Sequence, residues 1–244
     1  MGPLSKLIPK ELLPVRGLPI LGAVLLELRA AGVRDIHLVV SREKPLLSTF
    51  VEQAPTLLGG EWNLHMWNQR VDRAGNYGAV LSVPTELRLA GPYLLAWGDE
   101  IFEPAGGRRS RARQLIDAYQ RFDRPVVGAT KVGDQQVEIC GVIETDAKHS
   151  IRRVLEKPSP SDTPSRLALV GGAVVPPYLD QWLAEQAPSR PREAVFSELL
   201  ATWSRLGTVW AEVLEAEWWE LGSLQSYRAG AVGLEARGVK VVKG

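Results

Sequence analysis

A helix that feeds a β-branched strand sets the fold class of this chain. Apolar residues recur at Ile20, Leu21, Val24, Leu25 and Leu28, the spacing of one helical face. Pro19 opens that pattern, its fixed φ suiting a first helical turn, and Ala31-Gly32 closes it. The next apolar run, Ile36-His37-Leu38-Val39-Val40, is short and β-branched, as a strand of a buried parallel sheet should be. Helix followed by buried strand is half of a βαβ unit, and a right-handed crossover normally starts from a strand ahead of the helix. The residues before Pro19 supply no such strand.

The rest of the chain continues the α/β alternation. Helix is expected from Lys44 to Leu58, a strand over Leu64 to Trp67, and a glycine turn at Gly75-Asn76-Tyr77-Gly78 that enters a helix near Ala79. Tyr93 to Trp97 reads as a strand that stops at Gly98-Asp99-Glu100. Arg108, Arg109, Arg111 and Arg113 precede a helix through Phe122 and read as its solvated face. Pro125 to Val132 and Val137 to Ile143 read as strands paired around Gly133-Asp134. Ile151 to Leu155 and Leu167 to Val175 follow as strands, the second with Gly171-Gly172 inside it. Helices are expected at Pro177 to Gln186 and Arg192 to Leu206, and strands at Thr208 to Leu214 and Glu217 to Glu220. A helix from Gly222-Ser223 through Arg237 and a strand over Val239 to Val242 close the chain.

The length of 244 residues fits one large domain or one and a half with a substantial core, and a single domain over residues 1–244 is expected. A net charge of +1 points away from nucleic acid and from anionic membranes. The longest apolar runs are too short to cross a bilayer, and no signal sequence opens the chain, so a cytoplasmic location is expected. Cys140 stands alone, so no disulfide framework and no Cys/His zinc spacing exist. In its apolar run Cys140 reads as a small filler. His37 reads as a satisfied strand histidine, and nothing supports a serine or cysteine nucleophile.

Three places suit chemistry, each beside a plainer reading: an ordinary polar N-terminus around Lys10, an exposed loop acid at Asp99, and a simple turn at Gly75. In Ser5-Lys6-Leu7-Ile8-Pro9-Lys10-Glu11-Leu12-Leu13-Pro14, two prolines forbid a regular helix and stiffen the loop that presents Lys10, a point charge suited to phosphate. Asp99 lies just past the carboxyl end of a buried strand, where open α/β sheets bind ligands and where a hard cation finds a carboxylate. Gly75 offers backbone N–H groups that can face a ligand closely.

These pieces, with Glu156-Lys157-Pro158, Pro164-Ser165-Arg166-Leu167-Ala168-Leu169-Val170-Gly171 and Trp219-Glu220-Leu221-Gly222-Ser223, resemble the sugar-1-phosphate nucleotidylyltransferases, most closely the bacterial UTP–glucose-1-phosphate uridylyltransferases. The resemblance spans essentially the whole chain and rests on motif order. It implies a Rossmann-like, doubly wound mixed sheet, the nucleotide-diphospho-sugar transferase fold. It also implies joining of a nucleoside triphosphate, UTP by family analogy, to a sugar 1-phosphate, glucose 1-phosphate by the same analogy, with release of pyrophosphate. On that analogy Lys10 contacts phosphate and Asp99 holds Mg²⁺. Glu220 completes the metal site where the family usually has aspartate. Glu156 binds the hexose hydroxyls, Lys157 meets the sugar phosphate, Gly141 and Gly171 let backbone approach the sugar, Gly75 lines base and ribose, and Gln69 reads uracil.

The partners implied are small-molecule substrates, without nucleic acid or membrane; homo-oligomerisation is left open. The family opens with a buried strand and a Gly-x-Gly-Thr-Arg phosphate loop, and this sequence starts at Met1-Gly2-Pro3-Leu4-Ser5 without either. The expectation is therefore the family fold lacking its first strand, with feeble transfer by the chain alone. The alternative is a catalytically impaired relative that binds a nucleotide or sugar phosphate as a regulatory subunit.

Overall fold

The computed structural model describes residues 8–189 and 191–236; the strand expected at Val239 to Val242 lies outside them. Between Pro9 and Pro14 the chain makes one 3-10 turn, Lys10–Leu12, in which the Leu12 N–H donates to the Pro9 carbonyl at 2.9 Å and the Leu13 N–H to the Lys10 carbonyl at 3.1 Å. A short hairpin follows, β1 (Pro14–Val15) with β2 (Leu18–Pro19), turning at Arg16 and Gly17. Helix α1 (Ile20–Ala30) starts directly after Pro19 and buries Ile20, Leu21, Val24, Leu25 and Leu28, the five positions its periodicity marks.

β3 (Asp35–Val40) and β4 (Asn63–Asn68) are parallel, joined by α2 (Pro45–Leu58) as the crossover. Pro45 sits at the start of α2, where its missing N–H costs nothing. Ile36 and Val40 pack with α1 and α2, while His37 stacks on His65 and accepts the Trp67 indole N–H at 3.0 Å. Short helices α3 (Asn76–Val80) and α4 (Thr85–Arg88) lead to β5 (Tyr93–Leu95) and β6 (Glu100–Pro104). Then come α5 (Arg111–Phe122), β7 (Val126–Lys131), α6 (Asp134–Val137), β8 (Gly141–Thr145), β9 (Ile151–Glu156) and β10 (Leu167–Val175). The remaining elements are α7 (Pro177–Gln186), α8 (Phe196–Trp203), β11 (Trp210–Val213), β12 (Ala216–Glu220) and α9 (Leu224–Ala236).

The main sheet has the order β11-β7-β10-β8-β9, with β5 also on β10. β11 runs parallel to β7 and the other pairs are antiparallel, so the sheet is mixed. Helices cover both faces. Val127, Ala129, Ala173 and Val175 point toward α7 and α8, while Val126, Val170 and Val174 pack with Leu115 and Ala118 of α5. β6 and β12 form a separate antiparallel ribbon in which Glu220 pairs with Glu100. Among the described residues no strand joins the β3–β4 pair to the main sheet.

Four sequence expectations are corrected. Val137 to Ile143 is not one strand: Asp134–Val137 is a helical turn, started by the Gly133 N–H donating to the Gln136 side chain at 3.0 Å, and β8 begins only at Gly141. β7 and β8 are not partners either, because β10 lies between them and pairs with both. The arginines before α5 are not all a solvated face. Arg111 is 1% exposed and donates to Glu27 of α1 at 2.8 Å, its guanidinium resting over Phe102. Glu27 also accepts the Ala112 N–H at 3.0 Å, so one carboxylate neutralises Arg111 and satisfies the start of α5. The helix expected over Arg192 to Leu206 is shorter, Phe196–Trp203, because residues before it are drawn into bonds with the Gly75 turn.

Candidate active site

The 3-10 turn after Pro9 delivers Lys10 to Asp99, at the turn before β6; Nζ lies 2.5 Å from Oδ2. Burial lowers the Lys10 pKa, but Asp99, Glu11 and Glu220 together outweigh it and hold the ammonium above its ordinary value. Glu220, at the end of β12, bends back to accept the Gly222 N–H at 2.6 Å. A Cβ on Gly222 would stand 2.3 Å from Glu220 Oε1 and 3.3 Å from both Asp99 Oδ2 and Lys10 Nζ. Lys10, Asp99 and Glu220 therefore converge on one bare backbone position.

Beside them opens a cavity of about 190 Å³ walled by Asn76, Gly141, Glu156, Ser197, Trp97, Trp218, Glu100 and Glu220. Glu156, the last residue of β9, accepts the Ser197 hydroxyl at 2.5 Å. Gly141 faces it across β8–β9, where a Cβ would lie 3.4 Å from Glu156 Oε2; the missing side chain keeps that carboxylate accessible. Lys157 adopts φ 47°, a left-handed turn held by its N–H donating to the Cys140 carbonyl at 3.0 Å, and its side chain is exposed. Cys140 is buried in the loop before β8, and burial first, then the nearby carboxylates, push its thiol up to about 12, so it is inert.

Gly171 lies behind this cavity. At φ 78° it forms part of a bulge where the β10–β7 register slips between Leu169 and Ala173. Its N–H leaves the ladder and donates to Glu100 Oε2 at 3.0 Å, and a Cβ there would meet Leu214, Arg111 and Phe102. Burial pushes the Glu100 carboxyl up to about 7, more than Arg111 and the Gly171 N–H pull it back.

On the far side of the cavity is the Gly75 turn. Gly75 has φ 86°, and a Cβ would stand 2.4 Å from the Ala194 carbonyl, so only glycine fits. The Gln69 side-chain amide donates to the carbonyls of Arg73 at 3.0 Å and Gly75 at 3.3 Å and so braces the turn.

A model of the nucleotidyl transferase family matches residues 1–237. The chain belongs to that family. Nucleotidyl transferases similar to it include the UTP–glucose-1-phosphate uridylyltransferase of Bacillus subtilis (strain 168), 24% identical over 90% of this chain and 81% of that protein. UTP–glucose-1-phosphate uridylyltransferase 2 of Staphylococcus saprophyticus is 23% identical over 90% of this chain and 82% of its own length. Among solved structures, a UDP-glucose pyrophosphorylase complexed with UDP-glucose superposes with a TM-score of 0.85 at 23% identity, covering 97% of this chain and 94% of the other. A UTP-bound enzyme of Acinetobacter baumannii gives 0.78 at 19% identity, covering 98% and 90%. The fold is thus that of the nucleotide-diphospho-sugar transferases, as the motif order implies.

Lys10, Asp99 and Glu220 come together, as do Gly141 and Glu156, whereas Gly171 is set behind the cavity and Gln69 beneath the turn. Sequence reasoning passed over Glu100, Ser197, Asn76, Trp97 and Trp218. Of these only Glu100 had a local signal, its place after the Asp99 turn.

Proposed function

We propose that the chain transfers a uridylyl group from UTP to glucose 1-phosphate, giving UDP-glucose and pyrophosphate. The observation that carries this reading is the convergence of Lys10, Asp99 and Glu220 on Gly222 beside the cavity that holds Glu156. An oxygen of the sugar phosphate attacks the α-phosphorus, and the bond from that phosphorus to the bridging oxygen of pyrophosphate breaks. Such a displacement depends on alignment and charge neutralisation more than on covalent help from the protein. Lys10 is placed to meet phosphate charge, Glu156 to accept from hexose hydroxyls with Lys157 at the sugar phosphate, and the Gly75 turn, braced by Gln69, to face base and ribose. Gly141 leaves room for the sugar, and the Gly171 bulge shapes the wall behind it.

The donor set suits a divalent cation. Asp99 and Glu220 are hard oxygen donors, and Mg²⁺ is commonly held by one or two carboxylates with phosphate and water completing its octahedron. Among the described residues no three acids, histidines or cysteines cluster as a metal cage. A cation held by Asp99 and Glu220 would supply charge neutralisation to the phosphates. No helix among the described residues is long and apolar enough to cross a membrane.

Pyrophosphate release measured with four nucleoside triphosphates against several sugar 1-phosphates tests the reading. UTP with glucose 1-phosphate is expected to be the best pair. Binding of these ligands with no pyrophosphate release under any pairing would leave a regulatory binding protein instead.

A further inference from the structure

The base-side turn and the sugar-side acid are 81 residues apart in sequence, Gly75 to Glu156, yet one short segment of chain, residues 193–197, bonds to both. Ala194 is fully buried; its N–H donates to the Ala74 carbonyl at 2.9 Å and its carbonyl accepts the Tyr77 N–H at 3.0 Å. Two residues on, the Phe196 N–H donates to Asn76 Oδ1 at 2.8 Å. Phe196 is the first residue of α8, and its N-cap, Val195, makes no side-chain cap. Asn76 thus supplies from another element the acceptor that a helix start requires. The following residue, Ser197, donates its hydroxyl to Glu156 at 2.5 Å.

We infer that Asn76 is a positioning residue that couples the nucleotide turn to the sugar acid. The inference rests on the roles given above to Gly75 and Glu156. With Asn76 in place, the first turn of α8 is fixed to the Gly75 turn, Ser197 is held, and Glu156 is aimed at the hexose. Without it, that end of α8 frays, Ser197 loses its seat and Glu156 its aim, while the Gly75 turn keeps its own bonds to Ala194. Asn76 itself lines the cavity; its effect on the sugar acid runs through Phe196 and Ser197, which is why the double variant is the deciding measurement.

Calorimetric titration with UDP, which reaches only the nucleotide subsite, and with UDP-glucose, which reaches both, tests this. Asn76→Ala is expected to bind UDP as the parent chain does and UDP-glucose roughly fivefold to tenfold more weakly, the worth of one net hydrogen bond. Ser197→Ala should show the same selective loss, and the double variant no further loss, because the two residues act in series. Asn76→Asp retains an acceptor and should restore UDP-glucose affinity, which loss through misfolding would not allow. Equal weakening of UDP and UDP-glucose, additive losses in the double variant, or no change in Asn76→Ala would each overturn the coupling. If the parent chain binds neither ligand, the reading of the site itself falls, and the inference with it.

Discussion

Glu100 of β6 accepts the Gly171 N–H at 3.0 Å across two separate sheets. That bond seats the β10 bulge on the ribbon that carries Glu220, so the wall of the sugar cavity and the acids of the proposed metal site share a support. Replacing Glu100 by alanine strands a buried N–H and should cost about 1–3 kcal/mol in urea denaturation. Glu100→Gln retains an acceptor and should cost less. Equal losses in the two variants would mean that the bulge is held by packing alone.

Asp180 ties α7 to the segment behind the Gly75 turn. It is fully buried and accepts from the hydroxyls of Tyr77 at 2.8 Å and Tyr93 at 2.7 Å, and from the Arg88 guanidinium. Asp180→Ala leaves Arg88 buried without its counter-charge and should destabilise the fold by about 3–5 kcal/mol. A loss under about 1 kcal/mol, within the range of an exposed pair, would show that Arg88 escapes to water.

Asp99→Asn should abolish Mg²⁺-dependent pyrophosphate release, as should chelation of the cation in the parent chain. Its ion pair with Lys10 is partly exposed, at 31% and 27%, so melting should move little. Undiminished turnover in Asp99→Asn would remove the carboxylate from the metal site.

The histidine stack on β3 and β4 should make stability pH-dependent. Burial, then His65, hold His37 below its ordinary 6.5, and its Nδ1 must stay unprotonated to accept from Trp67. The unfolded chain takes up that proton near pH 6.5 and the folded chain resists it, so the contribution is intact above pH 6.5 and is lost as pH falls below it. Melting temperatures from pH 8 to pH 5 should fall less steeply in His37→Gln. Parallel slopes for the two proteins would exclude His37 as the source.

Legibility followed sequence distance. The face of α1 and the β3–α2–β4 unit were readable because periodicity, Pro19, Pro45 and the closing glycines lie within the elements themselves. The proposed hairpin at Gly133-Asp134 failed because β10, far along the chain, provides the pairing that both flanking strands take. Arg111 looked like its exposed neighbours until Glu27, 84 residues earlier, drew it inward. Lys10, Asp99 and Glu220 stood out through motif order. Asn76 and Ser197 did not, since each is defined by a partner 120 and 41 residues away, and no local pattern marks an asparagine that caps someone else's helix.

The bare α-carbon of Gly222 gives the site a keyhole. Its φ needs no glycine, so a methyl group there leaves the backbone path open and acts only as a plug among Lys10, Asp99 and Glu220. Gly222→Ala should therefore push the Glu220 carboxylate off its seat and crowd Asp99 and Lys10, lowering pyrophosphate release while leaving the melting temperature near that of the parent chain.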